Sequence, residues 1–149
     1  MKRITSLIIA SLLVLTLLLT SCSGSASSAG AKLDDSSETL VVIEATATDG
    51  SLEDALKALS DAGELTFGGA DGDYGFYLTS VNGREADASA GEYWAIYTTL
   101  GEYDSVAYSN AEYGTYTYNG KALASASYGI SGLPLVEGEL YAIVLIESY

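Results

Sequence analysis

Gly91-Glu92-Tyr93-Trp94-Ala95-Ile96-Tyr97-Thr98-Thr99-Leu100 is the stretch on which the fold turns. Side chains alternate across a pleat, so Trp94, Ile96, Thr98 and Leu100 share one face while Tyr93, Ala95, Tyr97 and Thr99 share the other. Stiff β-branched and aromatic side chains at this density pack well on a half-buried pleated surface. Apolar residues do not recur at the three-and-four spacing of a helix. Trp94, the only tryptophan, carries the largest apolar ring available to a core, and its expected place is between sheet and helix. A central strand is the reading.

Working outward, Asn119-Gly120 separates Tyr113 to Tyr118 from Lys121 to Ala126, a two-residue hairpin signal because both turn positions need positive φ. Leu133-Pro134-Leu135 is a connection, Glu137-Gly138 a turn, and Leu140 to Ile146 a very apolar last strand. Upstream, Gly68 to Gly75 forms a Gly-rich loop after Phe67, and Gly75 to Val81 a strand closed by Asn82-Gly83. Leu52, Ala55, Leu56 and Leu59 make one apolar helical stripe, opened by Ser51 with Asp54 as a capping box and closed by Gly63. Leu40 to Thr48 is the first strand. One helix on a sheet of about five or six strands predicts an α+β domain over residues 38–149.

The N-terminus speaks to location. Lys2 and Arg3 precede an uncharged apolar run, Ile4 to Leu19, and a Ser/Ala/Gly-rich stretch follows Leu19-Thr20-Ser21-Cys22. That boundary resembles the lipobox of bacterial lipoproteins. The resemblance implies a signal peptide over residues 1–21, acylation of Cys22, and export to the outer face of the cell membrane. Residues 22–37 carry too little apolar surface to offset ordering entropy and predict a flexible tether. With one cysteine, no disulfide or thiolate metal site can form within the chain.

Charge and inventory exclude much. The formal charge of −14 becomes −16 without Lys2 and Arg3, which opposes any phosphate backbone and excludes nucleic acid as a partner. There is no histidine, and lipidation consumes the thiol, so imidazole and thiolate catalysis are closed and no enzyme is expected. Asp71-Gly72-Asp73 has closely spaced carboxylates but lacks the remaining ligands of a calcium loop, so a solvated turn is the reading. Gly68-Gly69 and the glycines after it lack the Lys-Ser/Thr of a nucleotide loop. The twelve tyrosines stand out. Tyr93 and Tyr97 share a face, as do Tyr116 and Tyr118, and joined they make an aromatic platform; the alternative is plain coverage of strand surfaces.

In order, Leu52-Glu53-Asp54-Ala55-Leu56, Gly75 to Gly83, Tyr93-Trp94, Gly129-Ile130-Ser131 and the strand after Gly138 resemble the transcobalamin-like C-terminal domain of cobalamin carriers and bacterial surface lipoproteins. The resemblance implies a β-grasp-like mixed sheet and a binding module for cobalamin or a related small ligand. It implies a ligand side including Tyr128, Gly129, Ile130 and Ser131, with Tyr97 nearby. The helical domain that supplies most of the grip in the carriers has no counterpart here, and Asp104 to Tyr118 matches nothing in them. A protein-interaction or envelope-scaffold module without a small ligand is the alternative.

Replacing Cys22 by Ala is expected to block acylation and leave an uncleaved precursor. Metabolic labelling with a palmitate analogue checks this, and a labelled Cys22→Ala protein overturns the lipobox reading.

Overall fold

The structure is a computed structural model that describes residues 30–148. The apolar leader, Cys22 and the first part of the expected tether lie outside them. In chain order the strands are β1 (Ala31–Ser36), β2 (Leu40–Ala45), β3 (Phe67–Gly72), β4 (Gly75–Val81), β5 (Arg84–Glu85) and β6 (Glu92–Thr98). There follow β7 (Glu102–Tyr103), β8 (Val106–Ala107), β9 (Ser109–Tyr118), β10 (Lys121–Ala126) and β11 (Leu140–Glu147). One α-helix, α1 (Leu52–Asp61), lies between β2 and β3, and a 3-10 turn spans Ala88–Ala90.

Six strands make the main sheet in the order β1-β2-β11-β6-β10-β9, while β3-β4-β5 and β7-β8 form two smaller ones. The Tyr-Trp stretch is β6, one of the two central strands, and it pairs with β11 from Glu92↔Glu147 to Thr98↔Tyr141. Every ladder is antiparallel, including β11 with β2. The protein is therefore mostly β and sandwich-like with a single helix among the described residues, and the expected α+β, β-grasp-like mixed sheet is overturned. The mixed sheet was what the family resemblance implied; the apolar runs of β2 and β11 do not by themselves distinguish a parallel strand from a doubly covered antiparallel one. Here the same runs arise because both faces of an antiparallel sheet are covered.

On the front face, Val41, Ile43, Trp94, Tyr141 and Ile143 pack against α1 and the β3-β4-β5 sheet. The helix forms where its caps place it. The Ser51 hydroxyl accepts from the Asp54 amide, and the Asp54 carboxylate accepts from the Ser51 amide, closing the capping box. Gly63 sits at φ 75°, with Gly63 N–H on the Ser60 carbonyl and Glu64 N–H on that of Leu59, a Schellman ending. Leu52, Ala55, Leu56 and Leu59 are all buried, as their spacing predicts.

The back face is closed by the β9–β10 hairpin. β10 touches β6 only at Ala124↔Thr98 and Ser125↔Tyr97. Opposite Ala124 and Ser125 the register jumps from Thr115 to Asn110, so residues 111–114 bulge out. Beyond the bulge the arm packs Leu123, Tyr116 and Tyr118 with Val42, Ala142, Val144 and Tyr97 in a second core. The Tyr118 hydroxyl reaches the Asp34 carboxylate of β1, on the far edge of the sheet, at 3.0 Å. The Tyr-rich segment up to Tyr118 thus supplies β9, one strand of the back layer.

Two further expectations change. The tether was expected to run to residue 37, but Ala31 to Ser36 is an edge strand on β2, with Ala31 buried and Lys32 paired to Glu44 at 2.9 Å. Only Ala31 and Leu33 alternate before a bulge between Leu33 and Asp35, too short a pattern to register in the sequence. The Gly-rich loop is β3 paired with β4, with Asp73-Tyr74 as its turn.

Trp94 is 8 % exposed, and its indole N–H donates to the Thr79 carbonyl of β4 at 3.1 Å. Its ring therefore fastens the small sheet onto the main one. Trp94→Ala is expected to cost about 3–5 kcal/mol, as for other large-to-small core changes, measured by denaturant unfolding. A loss below 1 kcal/mol contradicts this role.

Candidate binding cleft

The helix N-terminus positions the loop that follows β10. The first amides of a helix have no partner within it. Here Leu52 N–H donates to the Leu133 carbonyl at 2.9 Å and Glu53 N–H to the Ile130 carbonyl at 3.0 Å. Leu133, Leu135 and Ile130 are buried beneath. Tyr141, fully buried on β11, donates its hydroxyl to the Pro134 carbonyl at 2.6 Å and accepts from Val136 N–H. Burial pushes its pKa up to about 12. The 129–136 connection is thereby fixed to both helix and sheet.

Ser131 links three elements. Its hydroxyl donates to the Glu53 carboxylate at 2.6 Å and accepts from Phe76 N–H at 2.8 Å. Lys57 pairs with the same carboxylate at 2.6 Å. The hydrogen bonds from Lys57 and then from Ser131 hold the Glu53 carboxyl below its ordinary pKa. Gly75 lies against Ser131 at φ 99°, and a Cβ there would stand 2.8 Å from the serine side chain. Close approach and backbone angle both demand glycine.

This arrangement leaves two joined recesses between β4, β6 and the 129–130 backbone. The inner one, about 160 Å³, is lined by Phe76, Tyr77, Leu78, Trp94, Ile96 and the Gly129-Ile130 pair. The outer one, about 260 Å³, runs from Gly72 to Tyr77 along the hairpin tip and shares Phe76, Tyr77 and Gly129. Tyr74 is 99 % exposed, Tyr77 66 % and Tyr128 46 %. The Tyr128 ring lies 5.4 Å from that of Tyr108, tilted by 51°, and is not among the residues lining either recess. Gly129 has no positive φ, and nothing lies within 4 Å of where its Cβ would be, so its bare backbone forms a cleft wall.

The expected ligand set divides. Gly129 and Ile130 line the recess, and Ile130 is also buried core. Ser131 stands behind it with its hydroxyl engaged at both ends. Tyr97 does not join them: it is on the back face of β6, in the second core, with its ring 5.7 Å from Tyr116. Adjacent strand residues point to opposite faces, so Tyr97 is separated by the sheet from the face that carries Trp94 and Ile96. Of the expected aromatic platform, Tyr97, Tyr116 and Tyr118 come together as half-buried packing over aliphatic residues, while Tyr93, 42 % exposed, stays outside that core. Phe76, Tyr77 and Tyr74 were absent from the sequence reading of the site. Their signal was an aromatic set in a glycine-flanked turn, Gly72-Asp73-Tyr74-Gly75, where a large exposed ring has no packing role.

Residues 49–99 match the family model of a domain of unknown function (DUF4430), about a third of the chain. The match spans α1, the small sheet and β6, and so includes every cleft residue except those after β10. No curated protein matches the chain.

A carboxyl with a lowered folded pKa contributes stability that is complete above its unfolded value and lost as pH falls through the folded one. For Glu53 that loss begins below about pH 4.5, its ordinary value. Glu53→Gln is therefore expected to flatten the acid limb of the stability curve below pH 4.5. Thermal melts between neutral and acid pH check this; an acid limb identical to that of the parent removes Glu53 from the account.

Proposed function

We propose that this chain is a lipid-anchored surface module that captures a flat or amphipathic small ligand, with cobalamin or a related corrinoid as the first candidate. The observation that carries the reading is the outer recess. Tyr74 and Tyr77 stand exposed around an apolar floor, and Gly129 leaves one wall without a side chain. Exposed rings beside a shallow apolar recess suit stacking against a planar group, and few polar groups are needed to orient it. The recess is too small to enclose a corrin, so it would hold one edge or face of the ligand. The anchor part of the reading rests on Lys2, Arg3, the apolar run and the Leu19 to Cys22 boundary.

Calorimetric titration of the full chain with cobalamin, a base-free corrinoid and haem tests this. Tyr77→Ala is expected to weaken binding at least tenfold, about 1.4 kcal/mol, with little change in melting temperature because Tyr77 is mostly exposed. Gly129→Leu should fill the recess and abolish binding, again with a folded protein. Absence of any heat from the parent chain overturns the ligand reading; unaltered affinity in both variants moves the site elsewhere.

A further inference from the structure

The inner recess borders an incomplete strand edge. Thr99 N–H donates to the Leu140 carbonyl, and Ser148 N–H to that of Gly91. With the register of β6 and β11, this fixes the alternation: Tyr93, Ala95 and Tyr97 exchange bonds with β11, while Trp94 and Ile96 turn their main chain to the other edge. On that edge β10 pairs only as far back along β6 as Tyr97, opposite Ser125, so its ladder ends at Ile96; the Glu92 amide is taken by the Asp87 carbonyl, and no ladder flanks Tyr93 to Ala95. The chain leaves the place of the next strand because residues 129–133 climb to the helix N-terminus, where Ile130 and Leu133 carbonyls are held. Beside the vacated edge lies the apolar recess of Phe76, Leu78, Trp94 and Ile130.

We propose that this edge of β6 takes an extended cationic peptide segment of a partner protein as an added strand, with one apolar side chain in the inner recess. Main-chain bonding to an open edge supplies affinity and a side-chain pocket supplies selectivity. Charge selects the occupant. All twenty acidic residues but only four of the six Lys and Arg lie within residues 30–148. Three of those four cations are spent on Glu44, Glu53 and Glu92. Asp73 stands at the mouth of the adjoining recess. A second copy of so acidic a chain is repelled, whereas a segment with lysines or arginines flanking an aromatic is attracted. This goes beyond the ligand reading and stands even if no corrinoid binds.

The test uses the full chain in detergent and the capped pentapeptide Lys-Val-Tyr-Val-Lys, followed by Trp94 fluorescence and amide hydrogen exchange. The peptide is expected to bind, to slow exchange at Trp94, and to exceed Glu-Val-Tyr-Val-Glu at least tenfold in affinity. Two N-methylated forms then read the edge directly, one methylated on the tyrosine and one on both valines. Strand addition uses the amides of alternate residues. One form is therefore expected to lose at least tenfold in affinity while the other binds like the parent. No binding at millimolar peptide, or both methylated forms behaving alike, overturns the proposal. Sedimentation showing a dimer with the same amide protected assigns the edge to a second copy and overturns it as well.

Discussion

The β6–β11 ladder is the constraint on which the rest depends. Leu140 to Val144 of β11 are buried without a break, so both faces of the central pair must be covered. A strand apolar on both sides cannot sit in a one-layer sheet with a wet face. The front is met by α1 and the β3-β4-β5 sheet, the back by the β9–β10 arm. Each cover is tied at its far end by a polar contact, Trp94 to Thr79 in front and Tyr118 to Asp34 behind. With no disulfide available within the chain, closure of this kind has to hold the domain together.

The recess follows from how the front is closed. The 129–136 connection serves three masters: it satisfies the open amides of α1, it receives the Tyr141 hydroxyl, and through Ser131 it holds β4. Those obligations draw the chain off the edge of β6 after Ser125. What remains is a gap between strand edge, hairpin and loop, walled by apolar side chains and rimmed by tyrosines. The cleft is thus a by-product of capping and anchoring. Such a surface is well formed before any ligand arrives, which lowers the ordering cost of binding.

Acidity acts on partners more than on the fold. With most carboxylates solvent-exposed and unpaired, long-range attraction favours cations and disfavours like copies, and it weakens with salt. The few ion pairs are partly exposed and add little stability. Glu53 differs because its carboxylate is shared between Lys57 and the loop serine that borders the cleft.

The sequence by itself determined the elements whose signals are local. The capping box and apolar stripe of α1, the Asn119-Gly120 turn, and the alternation of β6 all follow from residues within a few positions of one another. Which faces Trp94 and Tyr97 occupy followed from the same alternation, and the structure places them so. Strand direction did not follow, because a doubly buried antiparallel strand and a parallel one carry the same apolar run. Nor did β1, whose short pattern gains its order from pairing with β2 rather than from its own residues. The cleft was half legible: Gly129 and Ile130 were singled out, whereas Phe76 and Tyr77 joined them only through the Ser131 bridge, a contact across 55 positions. Separation of Tyr97 from that loop was likewise a tertiary decision, since it depends on β10 leaving β6 and on the face toward which the chain then turns.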